Sequence, residues 1–80
     1  MGIVNIKTAA EVEAERIEQA AASARNVRNQ LLKESDPTQL PDAPLTDADK
    51  IAWADYRQAL RDVPQQAGFP DTIDWPVMPN

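Results

Sequence analysis

Apolar positions along this chain fall into four stretches of different rhythm. Residues 1–7 (MGIVNIK) alternate loosely and hold Ile3, Val4 and Ile6. β-Branched side chains favour an extended backbone, so this stretch predicts an extended N-terminal arm. Between Ala9 and Glu34 there is no Gly or Pro, and the strong helix formers Ala, Glu, Gln, Arg and Leu dominate. Thr8-Ala9-Ala10-Glu11 reads as a capping box, hydroxyl and carboxylate each serving a free backbone N–H. Glu11, Glu13, Glu15 and Glu18 come early and Arg25, Arg28 and Lys33 late, an order that complements the helix macrodipole. A long helix over residues 8–35 is predicted.

Within it Ile17, Ala20, Ala24, Val27 and Leu31 step by three, four, three and four residues, the spacing of a self-association seam. The seam is thin, because its backward extension meets Glu13 and a coiled coil wants about three or four sustained heptads. Two readings stay open: an amphipathic helix packing on its own domain, or a coiled coil with further copies or a partner. Leu31 and Leu32 are the largest aliphatic pair of the helix and should face whatever packs there. Ser35-Asp36-Pro37 then stops it, since Pro lacks an N–H and pushes the residue before it out of helical geometry.

Thr38 to Leu45 (TQLPDAPL) is a stiff corner in which Leu40 and Leu45 are expected to be buried lids. Thr46-Asp47-Ala48-Asp49 caps a second helix, predicted from Asp47 to about Asp62, with Leu45 stapled against Lys50 or Ile51. Ile51, Ala52, Tyr56, Ala59, Leu60 and Val63 repeat at helical spacing and define its apolar face, with Trp53 on the flank. Arg57 and Arg61 are expected to share an exposed edge. Antiparallel packing against Val27, Leu31 and Leu32 makes a helical hairpin. In the following turn Gly68 is free to take a positive φ. Residues 71–80 (DTIDWPVMPN) have no helical period, and Ile73, Trp75, Val77 and Met78 would be costly in water at about 25 cal/mol per Å². This tail therefore folds across the hairpin or docks on a partner. The fold class expected is all-α: a hairpin of one long and one shorter helix with an extended, Pro-rich C-terminal tail.

Composition narrows the function. With neither Cys nor His, disulfides, thiolate metal sites and imidazole chemistry are excluded. Carboxylates, Lys33, Lys50 and Tyr56 remain, without a nucleophile–base pair, so no catalytic residue and no metal or cofactor site is assigned. Asp47 and Asp49 at a helix start read as capping and dipole compensation. A net charge of −5 argues against nucleic acid, which needs a basic stripe. No apolar run approaches the roughly 18 residues of a membrane span. Residues 37–80 carry three Lys/Arg against seven Asp/Glu, a balance suited to a basic patch on a partner. All four aromatics, Trp53, Tyr56, Phe69 and Trp75, lie in this half. Tyr, Trp and Arg are enriched at binding hot spots, so Trp53, Tyr56, Arg57, Leu60, Arg61, Phe69 and Trp75 form the candidate partner-binding set. The same aromatics are also the natural core of so short a chain.

Several words in the second half are longer than any single motif. They are Leu31-Leu32, Ser35-Asp36-Pro37-Thr38-Gln39-Leu40-Pro41-Asp42, the run from Trp53 to Asp62 (WADYRQALRD), Pro64 to Pro70 (PQQAGFP) and Trp75-Pro76. From Arg25 to about Pro79 the chain resembles the phage tail assembly chaperone family, also described as tail fibre assembly proteins. One departure is Pro37, which stands where the family has Trp; residues 1–24 are unlike the usual upstream region. The resemblance implies a non-enzymatic assembly factor for a phage tail or tail-fibre protein, working in the host cytoplasm during virion morphogenesis. Its alternative is a permanent subunit of the virion tail or fibre held by the helical seam, as a homo-oligomer such as a trimer. On this reading residues 1–7 are an arm, 8–35 the long helix, and 36–80 the chaperone-like corner, second helix and tail.

Overall fold

The computed structural model of the protein describes residues 6–80. Helix α1 spans Ala9–Ser35 and is followed by a 3-10 turn, Asp36–Gln39. Helix α2 spans Asp47–Asp62 and runs into a second 3-10 turn, Val63–Gln65. The chain is all-helical and hairpin-like, as the periodicity predicts. In each expected capping box the hydroxyl half forms. Thr8 Oγ1 accepts from the Glu11 N–H at 3.1 Å, and Thr46 Oγ1 accepts from the Asp49 N–H at 3.1 Å. In the first box the Thr8 hydroxyl donates to the Glu11 carboxylate. Of the predicted arm only Ile6 and Lys7 are described, both exposed; the rest of it lies outside the described residues.

The core sits where α2 crosses the second half of α1. Leu60 and Val63 are fully enclosed, with Tyr56 and Ala24 buried beside them. Each enclosed aliphatic side chain contributes about 1.5–3 kcal/mol. On α1 the packed strip is Ala20, Ala21, Ala24, Arg28, Leu31, Leu32 and Ser35, and residues 9–19 are exposed throughout. The molecule is consequently long, 66 × 26 × 15 Å. Its radius of gyration is 18.3 Å, whereas a compact chain of this length would have about 12 Å.

Four expectations are corrected by this packing. Val27 is exposed, because the packed strip advances by four residues (20, 24, 28) and rotates past the heptad line that joins Ile17 to Val27. On α2, Ile51 is 62% exposed, and Trp53 turns partly inward to meet Tyr56. At the corner Leu40 is exposed; the 3-10 turn directs Thr38 to the helix end, where its hydroxyl donates to the Ser35 carbonyl at 2.6 Å. Leu45 is half-buried as a lid should be. Gly68 does not have a positive φ. Its requirement is steric: a Cβ there would lie 2.7 Å from the Thr72 carbonyl oxygen, which faces it across a turn closed by the Thr72 N–H donating to the Gly68 carbonyl at 2.9 Å.

Candidate functional site

Helix α1 ends in a polar lock. Ser35 is buried, its hydroxyl shared between the Leu31 and Leu32 carbonyls at 2.9 and 3.1 Å. Into this end reaches Arg57 of α2, only 8% exposed. Its Nη1 donates to the Leu32 carbonyl at 2.6 Å and to Ser35 Oγ at 2.7 Å, and its Nη2 donates to Asp36 Oδ1 at 2.7 Å. A guanidinium suits the place because its planar fork serves several acceptors at once, and the carbonyl end of a helix favours a cation. Nε is buried without a partner, so the lock carries some desolvation cost. The expected exposed edge shared by Arg57 and Arg61 is thus corrected: Arg61 is exposed, whereas Arg57 points inward. The sequence missed this because a helical wheel places Arg by its charge, and the acceptors that draw it inward belong to another helix.

Beside the lock opens an apolar cleft of about 170 Å³, lined by Leu31, Glu34, Ser35, Trp53, Tyr56 and Met78. Trp53 and Tyr56 pack edge to face with centroids 5.6 Å apart, an arrangement the ring quadrupoles favour. Met78 closes one side from the tail, and a thioether beside aromatic rings is a polarizable, adaptable filler. Glu34 is the charged member of the lining. Among the described residues no cluster of acidic, His or Cys side chains could hold a metal, and no helix is long and apolar enough to cross a membrane.

The tail folds back on the hairpin. Gln66 clasps Asp74 twice, its Nε2 donating to the Asp74 carbonyl and its Oε1 accepting the Asp74 N–H, both at 2.8 Å. Phe69 is half-buried with the Arg25 guanidinium 5.3 Å from its ring centroid. Arg16 bridges Glu13 and Asp71, the latter at 2.8 Å. Its hydrogen bonds to Glu13 and Asp71 hold both carboxyl groups below their ordinary range and raise the guanidinium. All three groups are exposed, so these ties are water-screened.

Of the candidate set, then, Trp53 and Tyr56 line the cleft. Arg57 and Leu60 lie inside the hairpin, Arg61 is on the surface, and Phe69 and Trp75 are half-buried on the returning chain. Met78 lies outside the site set that the sequence predicts, because an aperiodic tail offers no register from which to place it. Residues 21–80 match the family described as phage tail assembly chaperone protein. The chain belongs to the phage tail assembly chaperone family. No curated protein and no solved structure matches it. The family match begins inside α1 and takes in the packed strip, the lock, the cleft and the tail, leaving most of the projecting half of α1 before it. Pro37, where the resemblance places Trp, is exposed in the first 3-10 turn.

Proposed function

We propose that this family member binds a phage tail or tail-fibre protein during virion morphogenesis, in the host cytoplasm, and does so without catalysis. The observation that carries the reading is the cleft formed by Leu31, Trp53, Tyr56 and Met78, apolar, open and flanked by a rigid lock. Such a surface covers an apolar segment of the client until its own subunits associate. Trp53 and Tyr56 make the contact, while Arg57 and Leu60 act from within by fixing α2 against α1. Co-expression with the fibre protein tests this: soluble assembled fibre is expected with the wild-type chain and is lost with Trp53→Ala. Equal fibre yield without the chain would refute it.

A second reading is favoured by a separate observation. Val12, Ile17 and Val27 are exposed along α1, whose first half projects beyond the hairpin. This helix suits self-association, for example as a trimer in a permanent tail or fibre subunit. Mass spectrometry of purified particles separates the two: abundance at fibre stoichiometry favours the subunit, and absence favours the transient chaperone.

A further inference from the structure

We infer that residues 75–80 are a displaceable strap, the chain's own occupant of the cleft that the client enters. The last polar anchors of the tail are at its base: Asp71 on Arg16 and Asp74 on Gln66. Among the described residues no hydrogen bond ties positions 75–80 to the hairpin, although the segment carries neither helix nor turn to satisfy its own backbone. Met78 nevertheless lines the cleft with Trp53, Tyr56 and Leu31 while remaining 53% exposed, and its neighbour Val77 is 89% exposed. A segment with no hydrogen bond to the hairpin, only half-buried at Trp75, Pro76 and Pro79 and entering the cleft through the adaptable Met78 side chain, is built to leave at low cost. What it displays, Trp75-Pro76-Val77-Met78, specifies the chemistry that the cleft accepts. That is an irregular, proline-containing apolar stretch, whose prolines lower the entropy lost on docking and whose aliphatic or thioether group meets the two rings. The client segment is therefore of this kind, and the strap competes with it. A tether of this length presents Met78 to the cleft at an effective concentration on the order of millimolar, so free ligand must exceed that level or bind better.

The identity of the client rests on the chaperone reading, but the strap does not, and the test is made without a client. Full-length wild-type, Met78→Asp and Val77→Asp chains are titrated with a labelled synthetic peptide of residues 71–80, with the Trp53 indole N–H followed by NMR. Met78→Asp puts a carboxylate beside Glu34 and expels the strap; the Trp53 signal is expected to shift and the peptide to bind about tenfold more tightly than to wild type. Val77→Asp, on the outer side, should match wild type in both readouts. Met78→Ala, which adds no charge, should move both in the same direction by less, and it keeps the test readable if the aspartate variant unfolds. Unchanged Trp53 signal and peptide affinity in the Met78 variants would overturn the strap. So would equal effects from Val77→Asp. Neither result would bear on whether the chain promotes fibre assembly.

Discussion

Removing the Arg57 guanidinium would leave the Leu32 carbonyl and Ser35 hydroxyl without the donor that closes the hairpin. Hydrogen bonds to charged groups contribute about 1.5–3 kcal/mol when their partners are buried. Arg57→Ala is therefore expected to lower unfolding free energy by about 2–4 kcal/mol in urea titration, and Arg57→Lys to recover only part of it. Asp36→Ala should cost under about 1 kcal/mol, since that carboxylate is mostly exposed and the ion pair is screened. Equal losses for Arg57→Ala and Asp36→Ala would show that the ion pair, rather than the helix end, is what matters. Gly68→Ala has a different cause. The added Cβ meets the Thr72 carbonyl at 2.7 Å, and backbone cannot rotate aside as a side chain can. Strain of about 1–3 kcal/mol is expected, read as a lowered urea midpoint.

The two caps are chemically alike but serve elements in different settings. Thr46 opens α2, which carries buried or half-buried side chains from Lys50 to Leu60, so Thr46→Ala should lower global stability by about 1 kcal/mol. Thr8 opens the half of α1 that touches little else, so Thr8→Ala should fray the first turns with almost no change in the unfolding midpoint. Circular dichroism at 222 nm beside a denaturant titration distinguishes these outcomes. Helix boundaries of this kind were legible from residues such as Thr8, Pro37 and Thr46, because capping and proline chemistry act within a few residues. Which face of each helix turned inward was less so. Ile51 and Val27 satisfied the helical period and still ended in water, because the crossing of two helices buries only the strip that lies between them.

At the scale of the molecule, the tail is tied to α1 by a charge cluster with a defined response to pH. Folding lowers the pKa of Glu13 and Asp71 through their hydrogen bonds to Arg16. Their contribution is thus present above the ordinary carboxylate pKa and is lost as pH falls through the depressed folded values. The expected result is release of the Asp71 contact in strong acid, seen by NMR as a shift of the Asp71 and Arg16 side-chain signals. Asp71→Asn should abolish that step at Asp71, and raised salt should weaken the tie at neutral pH because all partners are exposed. An acid response that persists in Asp71→Asn would place its origin elsewhere.

From the sequence alone came two capped helices, their proline-marked ends, the absence of Cys and His, and, through long shared words, the family. Those properties depend on neighbours in the chain or on residue types being present at all. Tertiary structure decided that Arg57 turns inward and that Met78 joins Trp53 and Tyr56 in one cleft. Each of these depends on a group far away in sequence (the α1 carbonyls, an aromatic pair) whose position is set only when the helices cross and the tail returns, whereas the need for Gly68 comes from how its own turn closes on the Thr72 carbonyl four residues on, a backbone geometry that residue types alone do not show.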